Sequence, residues 1–168
     1  MNIAVITPVR HLKEVEQNLN KIGTVFYLEN GKKQEVRELL KNKNIDVIVC
    51  NPNKQDFIID KDLLKNTSVR IINTCSTGLN HIDISYCHEQ GIEVQSLTND
   101  YALINNLPST PELAFGLLMS VLRKIPSSHF DVFQNKSWDY TRYIGRQIQG
   151  LTIGIVGYGR LGRFMEQY

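Results

Sequence analysis

Five short apolar runs recur along the first part of the chain: IAVIT from Ile3, TVFYL from Thr24, DVIVC from Asp46, VRIINT from Val69 and IEVQS from Ile92. Each is rich in β-branched residues and too short for a helix, which is the signature of a buried strand. The polar stretches between them have helical spacing. EVRELLKN puts Val36, Leu39 and Leu40 on one face, and DISYCHEQG begins near Asp83 and meets Gly91, a residue suited to closing a helix. Strand, helix, strand at this interval predicts βαβ units and a parallel sheet. The expected fold class is α/β, with a flavodoxin-like doubly wound parallel sheet domain over about residues 1–98. No internal repeat or low-complexity segment interrupts it.

From residue 99 onward the pattern changes. LTNDYALINNLPST, Leu97 to Thr110, is a polar crossover. A helix should follow, with Ser109 and Glu112 at capping-box spacing and Pro111 in the first turn, where its missing N–H costs nothing. Leu113 to Ile125 is apolar nearly all round, so the helix is expected to be buried on several sides, with Gly116 allowing a close approach and Pro126 ending it. The next segment carries Phe130, Phe133, Trp138, Tyr140 and Tyr143. It packs either on a partner subunit, as an arm, or on its own domain. LTIGIVG then reads as a buried parallel strand.

That strand runs into Gly157, Gly159 and Gly162, a G-x-G-x-x-G turn followed by Arg160, Leu161, Phe164 and Met165 in a helical pattern. In a dinucleotide-binding unit the first glycine permits the tight turn. The second lets the pyrophosphate approach the backbone, and the third lets the helix pack on the strand. Free N–H groups at the helix N-terminus then face the phosphates. Residues 99–168 therefore read as crossover, buried helix, arm and the first strand-turn-helix of an NAD-binding domain. A ribose-holding acidic residue is expected about 20 residues further on, beyond Tyr168.

The totals exclude several classes. A chain of 168 residues holds one full domain, or one domain and part of another. Net charge is +2 with scattered lysines and arginines, and the densest basic pairs, Lys32-Lys33 and Arg123-Lys124, suit solvated helix faces rather than a nucleic-acid groove. Cys50, Cys75 and Cys87 are odd in number and lack CxxC spacing, which argues against a disulfide framework and for a reducing, cytoplasmic setting. Cys75, His81, Cys87 and His88 fit no standard zinc spacing, so no metal site is expected. The N-terminus lacks a basic leader and a cleavage site. LAFGLLMSVL, Leu113 to Leu122, is about half of what a bilayer needs.

Three stretches together resemble the D-isomer-specific 2-hydroxyacid dehydrogenases. STGLNHID, Ser76 to Asp83, is similar to that family's S-x-G-x-D-x-I-D loop. STPELAFGLLMSVLR, Ser109 to Arg123, resembles its long helix. GRQIQGLTIGIVGYGRLGR, Gly145 to Arg163, resembles its entry into the cofactor domain. Asn80 stands where the family usually has Asp, Pro111 where it often has Ala, and Leu151 replaces a frequent Lys.

The resemblance implies a flavodoxin-like substrate domain followed by a Rossmann cofactor domain. It implies hydride transfer between NAD(H) and a small 2-hydroxy or 2-oxo acid. Backbone N–H groups of Thr77 and Gly78 would hold the substrate carboxylate. The CNPNK loop after the third run points to the same sheet edge, where Asn51 and Asn53 are weaker candidates, since Asn-Pro-Asn is first of all a turn sequence. Left to the residues alone, Gly78 reads sooner as a plain turn glycine, chosen for its backbone angles. Gly157, Gly159, Arg160, Leu161 and Gly162 would hold the cofactor, and Thr110 is either a contact near the nicotinamide or only a helix cap. The family's catalytic Arg, acidic residue and His match nothing in this chain, and His81 is expected to have a packing or surface role. The chain alone is therefore expected to be inactive, with a homodimer formed through residues 110–150. The competing reading is a non-catalytic NAD-linked binding or dimerisation module, truncated or corepressor-like.

Overall fold

The β-branched runs form one parallel sheet: β1 (Asn2–Val5), β2 (Thr24–Tyr27), β3 (Val47–Cys50), β4 (Ile71–Thr74) and β5 (Glu93–Gln95). A computed structural model of the chain describes residues 1–52 and 56–168. Asn53 lies outside the described residues. The chain divides into two units, Met1–Tyr101 and Ala102–Tyr168.

In the first unit the strand order is β2-β1-β3-β4-β5, with every pair parallel. Successive residues of a strand face opposite sides. Ala4, Ile48, Cys50 and Ile72 therefore join one core, and Ile3, Val5, Val47 and Val49 join the other. Helices α1 (Lys13–Ile22), α2 (Lys33–Asn42), α3 (Lys61–Leu64) and α4 (Ile84–Glu89) connect the strands. α2 turns Val36 and Leu40 fully into the core, with Leu39 packed beside them, as its spacing requires. Burial of one such side chain stabilises the fold by about 1.5–3 kcal/mol.

α4 shows how local sequence sets an element's ends. The Asp83 carboxylate accepts from the Tyr86 N–H at 3.0 Å and caps the start. At the other end Gly91 adopts φ +68. The Gly91 and Ile92 N–H groups then reach the carbonyls of His88 and Cys87 at 3.2 and 2.8 Å, a Schellman closure. This returns the chain into β5 with Cys87 buried.

The second unit begins within the short helix α5 (Tyr101–Ile104) and contains α6 (Ser109–Leu122), α7 (Ile125–Asn135), a 3-10 turn (Tyr140–Tyr143) and α8 (Arg160–Gln167). Four expectations are corrected here. First, the capping box does not form: Pro108, in the right-handed helical region, takes the cap position. Ser109 is thereby drawn inside the helix. Second, α6 is not buried on several sides. Leu113, Leu117 and Val121 are exposed, and no atom lies within 4 Å of a Cβ placed on Gly116. Third, Pro126 does more than end a helix. Lys124 turns left-handed at φ 52, and Pro126 sits in the first turn of α7, where a proline is tolerated. Fourth, Ile153–Val156 is not a buried strand. Among the described residues it pairs with no strand, and Val156 is fully exposed. A parallel strand takes its ladder from neighbours, and no segment of this unit supplies one.

Candidate functional site

In a doubly wound sheet, ligands bind beyond the C-terminal ends of the strands. The register sets Cys50 beside Thr74, so the loops that leave β3 and β4 start side by side. The β4 loop runs Cys75-Ser76-Thr77-Gly78. Three successive carbonyls in it are tied back to the protein. The Ser76 carbonyl accepts from the Leu97 N–H at 3.0 Å. The Thr77 carbonyl accepts from the Thr98 hydroxyl at 3.0 Å, and the Gly78 carbonyl from the Ser76 hydroxyl at 2.8 Å. The N–H groups of Thr77 and Gly78 have no acceptor among the described residues. Both residues are exposed. A loop with its acceptors engaged and adjacent donors turned outward is suited to an anion.

Gly78 does not sit in the left-handed region, where only Gly91, Gly150 and Gly157 of the glycines lie. A Cβ there would meet nothing closer than Asn80 Oδ1 at 3.7 Å. Backbone angle therefore does not demand glycine. Its effect is to leave the space above the N–H groups open. Asn51 is brought to the same place: its amide donates to the Cys75 carbonyl at 3.3 Å, at the base of the loop.

Beneath the loop lies a buried polar group that the sequence did not reveal. The His81 ring is 7% exposed. Its Nε2 lies 2.9 Å from Thr74 Oγ1 and 3.8 Å from Cys50 Sγ. Burial depresses the His81 pKa, so the ring is neutral at neutral pH. Burial also pushes the Cys50 thiol up to about 12. His81 thus has the packing role expected of it. Among the described residues no group of three His, Cys, Asp or Glu side chains could hold a metal ion.

The glycine turn belongs to the second unit, and its three glycines meet three different demands. Gly157 has φ +97, a conformation that side chains rarely adopt. Gly159 is extended, and a Cβ on it would project into open space. A Cβ on Gly162 would lie 2.5 Å from the Gly157 carbonyl oxygen and 3.3 Å from Ile155. These are a tight turn, an open approach and a close helix contact, the combination a dinucleotide pyrophosphate requires. The first bond of α8 is donated by the Arg163 N–H to the Gly159 carbonyl at 3.1 Å. The N–H groups of Arg160, Leu161 and Gly162 precede it and remain at the helix's positive end. The Arg160 guanidinium faces elsewhere. It donates to the carbonyls of Ile104 and Leu107 at 2.8 and 3.1 Å, tying the crossover to the turn. Thr110 is exposed in the first turn of α6.

A five-stranded parallel α/β unit with an anion-suited loop, together with a dinucleotide-type turn, defines a protein of the nucleotide-linked α/β class. The chain belongs to the D-isomer specific 2-hydroxyacid dehydrogenase family: the family's catalytic-domain model matches residues 3–102, and its NAD-binding-domain model matches residues 115–168. It is similar to D-3-phosphoglycerate dehydrogenase of Bacillus subtilis, at 34% identity over 110 residues, 65% of this chain and 20% of that enzyme. The Methanocaldococcus jannaschii D-3-phosphoglycerate dehydrogenase is 27% identical over 146 residues, 86% of this chain and 26% of that enzyme. Among solved structures, the NAD-dependent formate dehydrogenase of Staphylococcus aureus in complex with NAD matches with a TM-score of 0.79 and 22% identity. The match covers 99% of this chain and 52% of that one. D-lactate dehydrogenase of Aquifex aeolicus, complexed with NAD and lactic acid, gives 0.73 and 20%, covering 100% and 47%. At these identities the structures speak to fold alone. The chain spans about half the length of those solved structures and a smaller share of the curated relatives.

Proposed function

We propose that this chain supplies the substrate-carboxylate cradle and the pyrophosphate turn of an NAD-dependent oxidoreductase acting on a small 2-hydroxy or 2-oxo acid. The observation that carries the reading is the paired, unengaged N–H groups of Thr77 and Gly78, held outward by the engagement of all three neighbouring carbonyls. Two adjacent N–H donors match the two oxygens of a carboxylate. Asn51 acts through the loop base, where it holds the Cys75 carbonyl.

When bound, the nicotinamide supplies the hydride acceptor or donor. Gly157, Gly159 and Gly162 shape the pyrophosphate turn, and the N–H groups of Arg160, Leu161 and Gly162 face its charge. The Arg160 side chain contributes by holding the turn in place. Thr110 lies toward the nicotinamide end. A second copy of the chain covers the apolar side chains of residues 110–150, such as Leu113, Leu117 and Phe133, which are exposed in the single chain.

Binding is this chain's part, and proton transfer is not. His81, the one histidine joined to the carboxylate loop by hydrogen bonds, is buried and engaged there. NADH titrated into the purified chain should bind, as read by its fluorescence. Adding glyoxylate, hydroxypyruvate or pyruvate should give no oxidation at 340 nm (the ordinary NADH absorbance). Turnover with any of these acids would contradict the division of labour, and absence of NADH binding would contradict the turn's assignment.

A further inference from the structure

We propose that His81 is a positioning residue for the carboxylate cradle: fixed as its Nε2–H tautomer, it drives a one-way hydrogen-bond relay that locks the Thr77–Gly78 loop. The inference rests on the reading of that loop as the carboxylate site and says what holds it in shape.

The direction of the relay follows from counting protons. A carbonyl only accepts, so the 2.8 Å contact between Ser76 Oγ and the Gly78 carbonyl uses the one proton of the Ser76 hydroxyl. Ser76 Oγ can then only accept from Thr74 Oγ1, also 2.8 Å away. That uses the one proton of the Thr74 hydroxyl. The 2.9 Å contact between Thr74 Oγ1 and His81 Nε2 must therefore be donated by the ring. The chain runs from His81 Nε2–H to Thr74, from Thr74 to Ser76 and from Ser76 to the Gly78 carbonyl. In the neutral ring Nδ1 carries no proton. It is buried without a partner, as the sacrificed end of such an arrangement would be.

A relay of fixed direction has a structural effect. It holds the Gly78 carbonyl down against the loop while the N–H groups of Thr77 and Gly78 stay outward. With Nδ1–H instead, Thr74 would have to give its proton to the ring. Ser76 would then have one proton for two acceptors, Thr74 Oγ1 and the Gly78 carbonyl, and one of these two contacts would be lost. Thr74 and His81 lie seven residues apart, at the end of β4 and just before α4, so folding of the first unit completes the relay.

The test uses the purified 168-residue chain labelled with nitrogen-15. Two-bond proton–nitrogen correlation of the His81 ring should place Nε2 in the protonated range and Nδ1 in the unprotonated range. The reverse assignment overturns the inference, whatever the loop binds. Glyoxylate affinity is then read from the Thr77 and Gly78 amide shifts. H81Q keeps an N–H donor at the reach of Nε2 and should bind within about twofold of the parent chain. H81L and T74V, which cut the relay at two points, should bind roughly five- to tenfold more weakly, the scale of one lost hydrogen bond. Parent-like affinity in both H81L and T74V overturns the inference, and T74V keeps the test open should H81L not fold. If glyoxylate fails to move these amides in the parent chain, the carboxylate reading falls and the positioning role falls with it. The ring tautomer then shows separately whether the relay itself exists.

Discussion

At the residue scale, the glycines of the turn separate binding from stability. Gly159 is in an ordinary extended conformation, with φ −86 and ψ −156, and has open space where a Cβ would stand. Gly159→Ala should leave urea unfolding within about 0.5 kcal/mol of the parent chain. It should nevertheless weaken NADH binding by about tenfold or more, because the methyl occupies the pyrophosphate's approach. Gly162→Ala places its Cβ 2.5 Å from the Gly157 carbonyl oxygen. It should destabilise the second unit by about 1–3 kcal/mol, as overpacking does. Circular dichroism under urea and NADH fluorescence read the two effects apart. The positive φ of Gly157 and the close packing of Gly162 were legible in the glycine spacing because they are local. The bonds from Arg160 to the Ile104 and Leu107 carbonyls and the His81 relay were not. Both join residues through tertiary placement, and no spacing rule sets Thr74 against His81.

At the element scale, the sheet is fastened at the start of its strands by one carboxylate. Asp46, just before β3, accepts from the Asn2 N–H at 2.8 Å and from Arg70 at 2.9 Å, joining the approaches to β1, β3 and β4. The Asn2 N–H first, and then Arg70, hold its pKa below the ordinary carboxylate value. Because the folded value is the lower one, the stabilisation is present above the unfolded pKa of about 3.9 and is lost as pH falls through the folded value. Asp46→Asn should therefore flatten the acid limb of stability below about pH 4 while lowering stability at neutral pH. Thermal unfolding across pH reads both; an unchanged acid limb would count against the role given to Asp46.

The central strands β1 and β3 were legible because a buried parallel strand must be apolar along its length, and the edge strands β2 and β5 because their short β-branched runs continue the same interval. The ends of α4 were legible because Asp83 and Gly91 act locally. The second unit was less legible. Apolarity all round α6 said that the helix wants cover, but a sequence does not say whether the same chain supplies it. LTIGIVG has a strand's composition and lacks a strand's neighbours in this unit. The capping box failed because Pro108 took the cap one residue early.

At the scale of the whole molecule, the two units differ in how much of their apolar surface is buried. The first buries two cores, one on either side of a five-stranded parallel sheet. The second leaves Leu113, Leu117, Val121, Phe130, Phe133, Trp138 and Val156 exposed. This exposed apolar face is the one the proposed second copy would cover. The same contrast runs through the proposed chemistry: one binding element in each unit, and a match to about half the length of the related solved structures. The central claim is that the chain carries two separate binding elements, a carboxylate cradle and a dinucleotide turn. A proton–nitrogen amide spectrum of the chain, titrated first with glyoxylate and then with NADH, tests it most directly. Glyoxylate should move the Thr77 and Gly78 amides, and NADH those of Gly159 to Gly162. Shifts confined to other residues, or none at saturating ligand, would contradict it.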